Sequence, residues 1–172
     1  MIAADVYKPD EWHDFFLMTG GGAAALAGLV FVAMSINLDV VAQNATHRLR
    51  AINMLVGFTA AFMICALALM GAQHHQAVGS EWLVIAAVAT ASYVRNYIVA
   101  ARAGGRRAAL RPDRLVAGVT CYVAEMVGAV VLILGHITGL YVAAVGLVIS
   151  IALMISGSWL LLLAVHDDRA RE

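Results

Sequence analysis

Five long apolar runs, at about 15–37, 51–71, 82–102, 115–135 and 140–165, alternate with short polar connections along this chain. Each run is continuous and rich in Ala, Leu, Val and Met. Crossing about 30 Å of hydrocarbon at about 1.5 Å per residue takes about 20 apolar residues, so each run is long enough for one helix. A β-barrel would show short alternating segments separated by turns. The pattern therefore predicts an all-α fold, an integral membrane bundle of five transmembrane helices, with residues 1–172 as a single transmembrane domain. Connections of roughly four to fifteen residues make sequential helices antiparallel neighbours and leave no room for a soluble domain. Both prolines, Pro9 and Pro112, fall outside the runs, so no proline kink is expected. No internal repeat is visible, and five spans do not divide into two inverted halves. Before the first run, Tyr7, Pro9, Asp10 and Trp12 predict a short helical lead-in lying in the outer headgroup layer.

Composition agrees: 63% of the 172 residues are hydrophobic and 13% charged, far from the balance of a soluble domain. The net charge of zero hides an asymmetry that sets orientation. Arg48 and Arg50, then Arg102, Arg106, Arg107, Arg111 and Arg114, then Arg169 and Arg171 all fall on one side of the predicted bundle, and only Lys8 stands opposite. Lys and Arg near span ends stay cytoplasmic, so the expectation is an N-terminus outside and a C-terminus in the cytoplasm. The localisation this implies is the cytoplasmic (inner) membrane of a bacterium, multi-pass. The N-terminus lacks a basic leader, and the first run is too long for a removable signal. The arginine-rich connection between the third and fourth runs is either an orientation signal alone or also a contact for anionic lipid headgroups, at about 1 kcal/mol per basic residue. The lipid bilayer is the first expected partner; nucleic acid is not one.

Two charges sit inside the runs. Arg95 lies about eight residues from the cytoplasmic end of the third, and Glu125 lies about eleven residues past Arg114 in the fourth, which gives depths of about 12 and 16 Å. An ionisable side chain in hydrocarbon costs several kcal/mol unless it is paired or faces a polar cavity. Three readings follow. Arg95 and Glu125 form an intramembrane charge pair that fixes the hairpin register. Alternatively, Arg95 snorkels while Glu125 is protonated or bonded to hydroxyls such as that of Tyr122. In the third, Glu125 binds and releases a proton or cation with Arg95 tuning it. Thr90, Ser92 and Asn96 near Arg95, with Thr59, Thr120 and Ser150, are candidates for a hydrophilic track.

Small residues recur at helical spacing: Gly20, Ala24 and Gly28 in the first run; Gly57, Ala61 and Cys65 in the second; Gly118, Cys121 and Gly128 beside Glu125 in the fourth; Ala143, Gly146, Ser150 and Gly157 in the fifth. Such faces let helix backbones approach closely. They serve packing within the bundle or, more sharply, face a pore or a second copy of the chain. Cys65 and Cys121 differ by about 10 Å in depth and are not expected to form a disulfide. His13, His74, His75 and His136 map to the outer ends of the spans and are candidates for metal binding or pH sensing. No HxxxH spacing occurs, adjacent His74 and His75 cannot both point inward from a regular helix, and rim positions do not suit haem. No metal and no cofactor is expected.

The segment Trp12-His13-Asp14-Phe15-Phe16, followed by Gly20-Gly21-Gly22-Ala23-Ala24-Ala25-Leu26-Ala27-Gly28-Leu29-Val30-Phe31-Val32-Ala33, resembles the start of small bacterial membrane proteins. The resemblance covers about one helix and implies no activity. Nucleophile elbow, phosphate loop, zincin helix and nucleotide fingerprint are all absent from the sequence, so nothing in it points to an enzyme. The expected function is a homo-oligomeric channel or transporter for an ion or small solute that uses Glu125 and Arg95. The alternative is an accessory or assembly subunit gripping a larger membrane complex.

Overall fold

The structure, a computed structural model, describes residues 7–71, 73–102 and 112–169. It is all-helical: α1 Pro9–Ile36, α2 Leu38–Gln43, α3 Ala45–Ala68, α4 His75–Arg102, α5 Pro112–Ile133 and α6 Thr138–Arg169. All except α2 are long and apolar enough to cross a membrane. The connection with Arg106, Arg107 and Arg111, and the headgroup contact expected of it, lies outside the described residues.

Local chemistry sets the helix ends, which run past the apolar runs. Pro9 opens α1 six residues early because its fixed φ suits the first turn, where Asp10 and Glu11 face the positive end of the helix dipole. The expected separate lead-in is therefore one continuous helix with α1. Its aromatics turn into the bundle: Tyr7 is 2% exposed and donates from its hydroxyl to the Ala68 carbonyl at 2.7 Å, satisfying an end-of-helix acceptor on α3. The short α2 was not legible as an apolar run. It is followed by Asn44, whose side chain accepts from the Thr46 and His47 amides at 3.0 and 3.4 Å and so caps α3. Gly135, at φ +88°, ends α5. Its amide donates to Leu132 and that of His136 to Val131, a left-handed cap that turns the chain straight into α6.

The centre of the bundle is α3, which touches α1, α2, α4 and α6. Half of its apolar window is inside the protein, against 22–33% for the other four long helices. Polarity is reversed from that of a soluble protein. Leu17, Leu29, Phe31, Val84, Val88, Val116 and Leu134 face outward, while Glu125, Asn96, Ser150, Thr46 and Thr19 are buried. An outward apolar surface belongs in lipid, and the buried polar groups are what lipid would not tolerate. This is a multi-pass membrane protein.

Glycines decide how closely the helices cross. At Gly128 and Gly139, α5 and α6 meet backbone to backbone, with no space for a Cβ on either. Gly79 lies against Ala129 and Ile133, Gly118 against the Tyr93 ring, and Gly57 under Met154. Close approach replaces the hydrophobic drive that lipid does not supply.

Candidate functional site: a buried carboxyl group beside an arginine-lined cavity

Glu125 is 1% exposed. It sits on the face of α5 that the small residues share, where Gly146 of α6 lies so close that a Cβ there would touch Glu125 Cγ at 3.0 Å. Trp82 from α4 and Ser150 from α6 flank its carboxyl group, and Cys65 from α3 is close enough to feel its charge. Oε1 of Glu125 and Nε1 of Trp82 make no hydrogen bond of full geometry, yet the indole N–H and Ser150 are near enough to act on the carboxyl group. Donor and acceptor stand side by side in a buried place, so a small shift would pair them.

Ser150 has a single proton and donates it to the Leu147 carbonyl at 2.8 Å. Its oxygen then faces Glu125 as an acceptor only. A protonated Glu125 can donate to it, whereas a carboxylate needs Ser150 to swing its proton away from the backbone. The bonding of α6 at this point is thus sensitive to what Glu125 carries.

Ser150 also belongs to the wall of a cavity of about 320 Å³ between α3, α4, α5 and α6. The cavity lies in the half of the bundle where α3 and α5 begin and α4 and α6 end. Arg50 and Arg114 line it and are close enough for their charges to interact. Asn96, 4% exposed, donates to Oδ1 of Asn53 at 2.7 Å, and Tyr93 donates to the Arg114 carbonyl at 3.1 Å. Tyr122, 7% exposed, lines the cavity, and its hydroxyl makes no hydrogen bond among the described residues. Leu115, Leu153, Met154 and Leu160 supply apolar wall.

The opposite half is closed by rings. Tyr141, Trp12, Phe16 and Trp82 run in sequence with centroids 4.8, 6.0 and 6.1 Å apart, and Phe15 stands edge-on to Trp12 and Phe16. Phe16 and Trp82 are 0% and 1% exposed. Glu125 thus sits between Trp82 of the aromatic seal and Ser150 of the cavity wall.

This geometry corrects the charge pair expected between Arg95 and Glu125. Arg95 is exposed on the outer face of α4, whereas its neighbour Asn96 is buried. One residue is a turn of about 100° on a helix, and the register of α4 against α3 and α5 gives the inward position to Asn96. The only ion pair among the described residues is Lys8 with Glu11, exposed at 2.9 Å. The hydrophilic track is corrected as well. Ser150 and Asn96 line the cavity, but Thr90 and Thr120 donate to their own helix at Ala86 and Val116, and Thr59 and Thr120 are exposed.

The small faces divide. Gly20 lies against Cys65, Gly118 against Tyr93 and Gly128 against α6, and Cys121 is buried. Ala24 and Gly28 are exposed, with open space beyond Gly28. Gly20, Ala24 and Gly28 therefore do not act as one face. Cys65 and Cys121 are both free. His13, His74 and His136 are exposed and His75 half-buried, and among the described residues no three His, Cys, Asp or Glu side chains come together as a metal site.

Sequence reasoning missed Arg50 and Arg114 as site residues because they were spent on orientation. It also missed Trp82, Tyr93, Tyr97 and Asn53, polar or amphipathic side chains inside apolar runs, which was the signal available. No family model, curated protein or solved structure matches the chain.

Proposed function

We propose that the protein is a membrane carrier for a small solute, with Glu125 as the group that takes up and gives off a proton or cation as the solute crosses. The observation that carries this reading is the position of Glu125: an enclosed carboxyl group beside Ser150, which forms part of the wall of a cavity of about 320 Å³. Intramembrane ionisable groups beside a polar cavity are the ones that mark solute and proton paths. The aromatic seal favours a carrier over an open channel. Arg95 has no part in the mechanism. With the N-terminus outside, as the arginine distribution favours, the cavity opens toward the cytoplasm of a bacterial cell.

The test is flux. Proteoliposomes carrying a pH-sensitive dye are challenged with a panel of anionic, cationic and neutral small solutes. A proton signal triggered by one of them in the wild type and lost in Glu125→Gln is the expected result. Equal traces in the two proteins remove the carboxyl group from the mechanism.

The homo-oligomer in this reading is supported by the outward face of α1, where Gly21, Gly22 and Gly28 have open space and Ala24 and Ala25 are exposed. That same face favours the second reading, an accessory subunit held by a larger membrane protein. The mass of the complex in detergent separates them: a symmetric homo-oligomer supports the first, and a monomer that co-purifies with other chains supports the second.

A further inference from the structure

We propose that the cavity is a binding site for an organic oxyanion, a small molecule with a carboxylate or phosphate group held by Arg114 and Arg50. This names the solute class for the carrier reading and rests on it for its purpose, though not for its geometry.

Among the described residues no Asp or Glu lines the cavity, while two guanidinium groups do. The Arg114 guanidinium lies near Gly157 of α6 and makes no hydrogen bond or ion pair among the described residues. Two like charges brought together in a half-buried wall repel each other, and an anion between them turns that repulsion into attraction. Guanidinium offers a planar fork of N–H donors that matches the two oxygens of a carboxylate or phosphate.

The remaining polar groups point to the same ligand. The Tyr122 hydroxyl lines the cavity without a hydrogen bond among the described residues and is free to donate to a ligand oxygen. Asn53 uses its carbonyl oxygen on Asn96, which leaves its own NH2 as the group to present. Against the acceptors Ser150 Oγ and Asn96 Oδ1, the two guanidinium groups give donors the majority, which suits an oxyanion. Leu153, Met154 and Leu160 also line it, so the body of the molecule is partly apolar. The volume, about 320 Å³, falls in the range of small-ligand pockets.

This chemistry has two sources, a soluble metabolite or the headgroup of an anionic lipid, and binding rather than flux distinguishes them. In neutral detergent, thermal unfolding and equilibrium binding are followed with succinate and glycerol phosphate, against putrescine as cation and glycerol as neutral control. In a second arm, native mass spectrometry follows retention of phosphatidylglycerol against phosphatidylcholine. Saturable binding of an anion in either arm is expected. Arg114→Gln should weaken it by about tenfold to a hundredfold, the loss of one charge-assisted contact. A response to succinate or glycerol phosphate identifies a soluble ligand, and arginine-dependent retention of phosphatidylglycerol alone identifies a lipid; both support an oxyanion site. Should Arg114→Gln fail to fold, Arg114→Lys, which keeps the charge and loses the fork, and Tyr122→Phe take its place. Binding that is unchanged in all folded variants, preference for putrescine or glycerol, or no anion bound in either arm overturns the proposal. Arginine-dependent binding without any proton signal would remove the carrier reading and leave the site. Flux that does not depend on the arginines would do the reverse.

Discussion

The two halves of this bundle are built on opposite principles. Where α1, α4 and α6 begin, the interior is filled: Trp12, Phe16 and Trp82 stack toward Glu125, and Gly128 and Gly139 bring α5 and α6 into backbone contact. Where α3 and α5 begin, the helices stand apart around a cavity walled by Arg50, Arg114, Asn53 and three tyrosines. In lipid, helices hold together by close packing and internal hydrogen bonds, so the filled half supplies most of the cohesion. The open half can then afford polar side chains that are not optimally bonded to one another. The filled and the hollow half are separated along the bundle axis, with Glu125 between them.

That contrast can be broken most severely at its packed end. Gly139→Leu sets a side chain against the backbone of α5, which cannot yield, and should cost more than about 3 kcal/mol, read as loss of monodisperse protein. Gly157→Ala, in the open half, meets only Met54 Cε and the mobile end of Arg114, and should cost under about 1 kcal/mol in the same assay. Comparable losses at both glycines would erase the distinction between the halves.

A second test lies at the junction. Trp82→Phe keeps the seal aromatic but removes the indole N–H and part of the ring, leaving a gap beside Glu125. We expect a loss of about 1–2 kcal/mol in thermal unfolding together with faster proton exchange into the liposome. An unchanged leak would mean that Trp82 does not close the path.

A smaller effect than that at the junction belongs to the rim. Burial pushes the Tyr7 phenol up to about 12, from an ordinary value of 10.0. The folded state therefore favours the protonated phenol, which donates to Ala68. That contribution is complete below about pH 10 and is lost as pH rises toward 12. Tyr7→Phe should lower stability by about 1 kcal/mol at neutral pH and flatten the fall in stability between pH 10 and 12. An identical alkaline profile would place the loss elsewhere.

How much of this was legible depends on the kind of signal. The five spans were, because a bilayer demands length and continuous apolarity and both are properties of a linear string. Glu125 was also legible, as a charge amid a run. Gly118, Cys121 and Gly128 shared its face by spacing alone, and the structure sets that face against α4 and α6. The direction of Arg95 was not. Adjacent positions on a helix point about 100° apart, and nothing in an almost wholly apolar run fixes which of Arg95 and Asn96 turns inward. The cavity was hidden for a related reason: Arg50, Asn53, Asn96 and Arg114 come from three helices and meet only when those helices pack.

The amino-acid sequence by itself determined the class of solvent, the number of crossings and the presence of one buried acid, because each of these follows from local length, polarity and composition. Only the tertiary structure decided which arginines line a cavity, which half is sealed and which is hollow. Those are consequences of rotation and depth between rods, and a rod carries no record of its neighbour until the glycines and rings of both are in contact.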